Sequence, residues 1–305
     1  MDSGTLRTRP TLTFVPAVAA CCLVLCALFA LDLWVTDAAV RGRSHALPSG
    51  LLPIATIQPG APYLNDIDAR DSMTVEAIDV LETAVLLALG WLVSARGLGR
   101  SVKPIVAATA VLMAFVALGA PATESADIYL YAGLAQATPS PYHAGLIPLT
   151  GENAVLNRLW GLPLLPSAYG PLWIAISKAA ILFAPSLLAK LIAFRLVGVV
   201  AVIACVAMLV RLKVPRPVLV LFAVNPAIYD LFVTEAHNDL TAVAFVLAAA
   251  VARRRSRLAA VVLCAAAGAI KFPFILIAML VFASEAMLVA RLGFGLLSAA
   301  LSLSV

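Results

Sequence analysis

Residues 12–35, LTFVPAVAACCLVLCALFALDLWV, decide the fold. This stretch has one charged residue, Asp32, and about 20 apolar residues are enough to span the hydrocarbon core of a bilayer. It is longer than the apolar core of a cleavable signal, about 7–15 residues. It therefore reads as a retained first span, with Arg7 and Arg9 ahead of it on the cytoplasmic side. The rest of the chain has the same character. Its 305 residues are 63% hydrophobic and 12% charged, against about 25% charged in a soluble domain. The expected fold is all-α: one polytopic transmembrane helix bundle over residues 1–305.

Short basic runs set the orientation. Arg96, Arg100 and Lys103 form one, Arg211, Lys213 and Arg216 a second, and Arg253-Arg254-Arg255-Ser256-Arg257 a third. With all three on the cytoplasmic side, spans are expected at 12–35, 77–95, 104–120, 187–210, 217–232, 240–252, 258–270 and 274–290. Residues 121–186 become a large extracytoplasmic loop with an interfacial helix at 171–184. The net charge of +5 belongs to these loops, so no nucleic-acid partner is expected; membrane lipid is. The five cysteines lie inside apolar spans and read as small hydrophobes, with neither disulfide nor metal spacing. The sequence stops at Val305 within another apolar segment, which reads as an incomplete last span.

Two polar clusters stand out against this background. Ser125-Ala126-Asp127-Ile128-Tyr129-Leu130-Tyr131 follows the third span, and Glu235-Ala236-His237-Asn238-Asp239 lies between two later ones. The topology puts both on the outer face, and ionisable groups are costly beside hydrocarbon. Asp127 reads either as a general base that takes a proton from a hydroxyl or, with Ser125, as a helix cap. Asp239 likewise reads as a cap or a ligand-binding acid, and His237 as an imidazole that meets a phosphate or the carboxylates. Lys271, ahead of Pro273, either snorkels or pairs with a phosphate. Arg195 lies within the span 187–210 and needs an acid or an anionic ligand, with Asp79, Glu82 and Asp230 as partners on offer. Tyr131, Tyr142, Trp160, Tyr169 and Trp173 give the outer loop an interfacial character.

The order of these pieces is more specific than any one of them. Ser125-x-Asp127-x-Tyr129, Pro141-Tyr142, Trp160, Tyr169-Gly170-Pro171-Leu172, Asn225-Pro226, His237-Asn238-Asp239 and Lys271 together resemble the bacterial polyprenol-phosphomannose-dependent alpha-mannosyltransferases, membrane enzymes of the GT-C superfamily. The resemblance runs over residues 104–275. Thr234-Glu235-Ala236 stand where that family usually has glycines. The resemblance implies a GT-C-like bundle in the bacterial inner or plasma membrane, with its active site open to the extracytoplasmic side. A polyprenyl-phosphate sugar, most simply mannose, would be the donor, and an envelope glycan or glycolipid the acceptor. Asp127 would be the base of an inverting transfer. Tyr131, Tyr142, Tyr169, Arg195, His237, Asn238, Asp239 and Lys271 would bind substrate, with Arg158 a further phosphate contact. It implies no cofactor; a divalent cation held by Asp127 and Asp239 is the alternative. The competing reading is a secondary transporter or flippase for lipid-linked or anionic solutes, with Arg195, Lys190 and Lys271 as counter-charges. A third is a non-catalytic subunit of a larger membrane complex.

Overall fold

The computed structural model describes residues 14–43, 69–97, 99–120, 125, 127–137, 140–143 and 166–276. The expected span at 274–290 lies almost wholly outside them, as do Arg158 and Trp160. All regular structure among the described residues is helical. The elements are α1 (Phe14–Arg43), α2 (Ala69–Arg96), α3 (Val102–Gly119), α4 (Asp127–Gln136), α5 (Pro171–Ile181) and α6 (Leu187–Arg211). They are followed by α7 (Arg216–Ala223), α8 (Pro226–Tyr229), a π turn (Asp230–Thr234), α9 (Asp239–Ala252) and α10 (Arg257–Ile270). Among the described residues four helical segments are long and apolar enough to cross a membrane: Phe14–Thr36, Met73–Arg96, Val102–Gly119 and Leu187–Arg211.

The protein is a helical bundle built around two packed regions. In the first, α1 sends Val18, Cys22, Leu25 and Phe29 inward at helical spacing, against Leu89 and Val93 of α2 and Met113 of α3. Its other faces keep Leu23, Leu31 and Trp34 exposed, as a helix bordering lipid does. In the second, Tyr129 and Tyr131 of α4 pack with Trp173 of α5, Phe194 of α6 and Ile270 of α10. The Tyr131 ring meets Tyr169 and Trp173 edge-on, with centroids 5.0 and 4.9 Å away. This aromatic block supports the end of the bundle where the polar clusters meet.

The stretch expected as one span at 217–232 is broken. α7 and the segment Pro226–Thr234 form a pair bent by 53°. Pro226 supplies no backbone N–H, and the Asn225 side chain accepts a hydrogen bond from the Ala227 backbone N at 3.1 Å, so a new helix starts where the old one ends. α9 and α10 have 14 residues each, roughly 21 Å at 1.5 Å per residue, short of a hydrocarbon core of about 30 Å.

After the break the chain widens into the π turn, a conformation that is rare and frequent at functional sites. It rests on α6 at Gly198, where an added Cβ would run into the Phe232 carbonyl. Only a residue without a side chain lets the two backbones approach so closely. Gly198→Ala is therefore expected to destabilise the protein by about 1–3 kcal/mol, the usual cost of overpacking a rigid contact. Thermal unfolding of the detergent-solubilised chain measures this, and an unchanged midpoint would contradict the packing.

Candidate functional site

Four segments from distant parts of the chain meet at one end of the bundle. Ser125 and the start of α4 bring Asp127. The turn before α5 brings Tyr169. The segment after the π turn brings His237 and Asn238 and, at the start of α9, Asp239. The residue after α10 is Lys271.

Each segment is held there by a local device. The Ser125 hydroxyl accepts from the Asp127 backbone N at 3.1 Å, so Ser125 meets the backbone need of this turn and the Asp127 carboxylate stays free for other work. Glu235 is buried and its Oε2 accepts from the Ser125 backbone N at 3.0 Å, which ties the two polar clusters together across 110 positions. Gly170 donates its backbone N–H to the Ile270 carbonyl at 2.9 Å, and a Cβ at Gly170 would collide with the Ala269 carbonyl. That close approach brings Tyr169 beside the end of α10. His237 donates its backbone N–H to the Leu231 carbonyl at 3.0 Å.

Three side chains converge on one oxygen of Asp127. The Tyr169 hydroxyl donates to Oδ2 at 3.0 Å, the Tyr131 hydroxyl lies 3.4 Å from the same atom, and His237 Nδ1 lies 3.4 Å from it. None of these contacts engages Oδ1. Burial raises the pKa of Asp127, but the bond and charge of His237 and the two tyrosine hydroxyls outweigh it and hold the carboxyl below its usual range. The hydrogen bond to Asp127 raises the pKa of His237 against the opposing effect of burial, helped by the charges of Asp127, Glu235 and Asp239. Burial and the Asp127 charge push both tyrosines up, so they stay neutral donors.

Lys271 Nζ sits 2.8 and 3.0 Å from the two oxygens of Asp239, and both side chains are about one-third exposed. Asp239 therefore spends its carboxylate on Lys271 rather than on capping α9. The Asn238 amide is buried, and neither its nitrogen nor its oxygen has a hydrogen-bond partner among the described residues. Tyr142 lies on a separate turn whose Pro141 carbonyl accepts from the Ser167 N at 2.9 Å. No described contact brings Tyr142 to Asp127.

Arg195 does not meet the carboxylates offered for it at Asp79 and Glu82. It is fully buried, donating Nε to the Thr234 carbonyl at 3.1 Å and Nη1 to the Leu118 carbonyl at 2.9 Å. Asp230 and Glu235 lie within electrostatic reach. Arg195 thus joins the end of α3 to the end of the π turn, behind the site. Ala236, one of the residues standing where glycines are usual, has φ +54°, a left-handed conformation that costs an L-residue roughly 1–2 kcal/mol. The Glu235–Ser125 bond went unread in the sequence. Its signal was an acid two residues before His237 at the edge of an apolar segment. Among the described residues no group of three or more His, Cys, Asp or Glu is arranged to hold a metal ion.

The Asp127–His237 pair gives the site a pH signature. His237 gains a raised folded-state pKa, so its share of stability is complete below about pH 6.5, the free imidazole value, and is lost as pH rises through the raised value. The depressed Asp127 acts the other way, its share being present above the free value of 3.8 and lost as pH falls through the lowered one. NMR titration of the histidines is expected to show His237 titrating above 6.5, and Asp127→Asn is expected to lower that midpoint. A midpoint indifferent to the substitution would remove the pairing.

Neither a curated relative nor a solved structure matches the sequence significantly. Residues 44–290 match the family model described as Alpha-(1->6)-mannopyranosyltransferase, N-terminal domain. That match takes in every site segment described above and most of the chain. The match supports mannosyl transfer as the activity of the family. The protein belongs to the alpha-(1->6)-mannopyranosyltransferase family.

Proposed function

We propose that this mannosyltransferase moves mannose from a polyprenyl-phosphate donor to a hydroxyl of an envelope glycan or glycolipid on the extracytoplasmic side, with Asp127 as general base and inversion at the anomeric carbon. The arrangement at Asp127 carries the reading. Three donors hold Oδ2 in place and leave Oδ1 available to accept a hydrogen bond from an incoming hydroxyl. As that oxygen attacks the anomeric carbon, its proton passes to Asp127. The bond from the anomeric carbon to the phosphate oxygen breaks on the opposite face, and polyprenyl phosphate departs with the electron pair.

The departing phosphate gains charge and needs donors aimed at it. Lys271 is a cation at the site, held by Asp239 at one-third exposure, so it turns toward a phosphate without first being uncovered. The unpartnered amide of Asn238 is suited to a sugar hydroxyl, and the Tyr169 ring to a pyranose face. Arg195 is spent on two carbonyls and is assigned no substrate contact here. In this reading the Asp127 carboxylate takes the proton without a cofactor. Asp239, the second acid that a cation would use, has both oxygens on Lys271.

A lipid-linked donor also needs an apolar path. Between α3 and α6 an apolar groove of about 1050 Å³ runs from Lys103 and Lys213 at one end to Leu118 at the other. Leu118 is the residue whose carbonyl Arg195 holds, so the groove opens behind the site and suits a polyprenyl chain.

The test uses membranes carrying the protein, radiolabelled polyprenyl-phosphate mannose and a mannan-type acceptor. Asp127→Asn is expected to lower transfer about 10²- to 10⁴-fold, the usual share of a general base, with the helical far-UV circular-dichroism spectrum retained. Transfer at the wild-type rate in this variant would remove Asp127 from the mechanism.

A further inference from the structure

A second cavity lies next to the candidate site. Its volume is about 260 Å³, close to the lower end of ligand pockets, roughly 300–1,000 Å³. Four acids line it, Asp32 of α1, Asp79 and Glu82 of α2, and Asp230 of the π turn, together with Asn225 and Thr83. Among the described residues no Lys, Arg or His lines it. The opposite character comes from Phe29, Leu86, Pro226 and Leu231.

Glu82 points to a ligand. It is 7% exposed, and its buried Oε1 has no hydrogen-bond partner among the described residues. A buried oxygen in that condition lacks the donor it would have in water. A ligand hydroxyl entering the cavity would supply the donor that the described residues do not. The site beyond is immediately adjacent. Leu231 lines the cavity, and its backbone carbonyl accepts from the His237 backbone N at 3.0 Å. Asp230, another lining residue, accepts through its carbonyl from the Glu235 backbone N at 2.9 Å.

We infer that this cavity binds one pyranose unit of the acceptor glycan, next to the unit whose hydroxyl is activated by Asp127. A pyranose presents hydroxyl donors around its edge and C–H groups on its faces. The carboxylates, Asn225 and Thr83 take the edge; Phe29, Leu86 and Leu231 take a face. Glu82 supplies the buried acceptor, while Asp79 and Thr83 are exposed and leave the cavity open to an extended chain. A sugar fits better than a bare metal ion, since no three of the described acids are arranged to ligate one. The inference rests on the proposed transferase reading and adds to it the place where the acceptor docks.

Two variants of the full chain test it, Glu82→Gln and the exposed Asp79→Asn, with two readouts. In the transfer assay each is expected to raise the acceptor KM about threefold or more, the size of one lost hydrogen bond. The donor KM and kcat are expected to stay within about twofold, because binding common to ground and transition states affects KM alone. Saturation-transfer NMR with methyl α-mannoside is expected to show binding to the wild type and to Asp127→Asn, and loss of signal in both cavity variants. Wild-type transfer with acceptor KM unchanged in both variants overturns the cavity assignment and leaves the proposed function standing. If the wild type shows no transfer, the proposed function fails, and the mannoside signal still decides for or against the cavity. Calorimetric binding of Ca²⁺ or Mg²⁺ that Glu82→Gln abolishes, with the mannoside signal intact, makes the cavity a cation site and overturns the inference.

Discussion

The arrangement depends on one buried guanidinium. Arg195 is inaccessible to solvent within an apolar helix and bonds the carbonyls of Leu118 and Thr234. Burying a charge costs several kcal/mol even after relaxation, so such a residue persists where its bonds accomplish something that apolar packing does not. Here the two carbonyls belong to the last turn of α3, which leads to Asp127, and to the last residue of the π turn, which leads to His237. Helix ends leave their final carbonyls without intrahelical donors, and a planar fork of N–H groups can serve two of them at once. Asp230 and Glu235 nearby offset part of the charge. Glu235 in turn accepts from Ser125, whose hydroxyl holds the turn of Asp127. The distance between the acid and the imidazole is thus set from behind, by Arg195 and Glu235 acting on backbone.

This explains why the site divides its charges into two pairs. Asp127 faces His237 and two neutral phenols, a setting that keeps it ionised and fixes one of its oxygens. Asp239 faces Lys271, a flexible ammonium at partial exposure, where an ion pair contributes little to stability. A rigid pair suits a group that must meet a hydroxyl at a set distance. A loose pair suits a cation that exchanges one anion for another. The Tyr169 hydroxyl feels both carboxylates and stands between the two functions.

Much of the framework was legible in the sequence. Composition and hydropathy specify a helical membrane bundle, since about 20 apolar residues have few other uses. Counting basic loops puts the 125–131 and 235–239 clusters on one face of the membrane, and their contact is what the fold adds. The parts that stayed hidden share a physical cause. Within an apolar span Arg195 calls for an acid or an anionic ligand, yet it bonds two backbone carbonyls, and a carbonyl is the same group at every position. The Glu235–Ser125 bond also ends on backbone. The 53° bend was foreshadowed by Asn225-Pro226, whereas the π turn depends on Gly198 of another helix, a contact that no local pattern announces. Tyr142 matched the family pattern by order along the chain, and order does not bring a ring to a carboxylate.

The broken span shows how local cost and site geometry are linked. A straight helix through residues 217–232 would satisfy its own backbone and present one smooth face. The Asn225-Pro226 break and the π turn give up that regularity, and Ala236 then takes a left-handed conformation to bring His237 round. Replacing Ala236 by glycine would relieve roughly 1–2 kcal/mol of strain but remove a buried methyl group worth about 0.8 kcal/mol and add chain entropy to the unfolded state. The terms nearly cancel, so alanine stands there at little net cost. In exchange, one irregular segment gives its two sides separate tasks. Its Leu231 and Asp230 side chains border the acidic cavity, and the segment holds His237 against Asp127 on the other side. An unbroken helix offers no residue that reaches both.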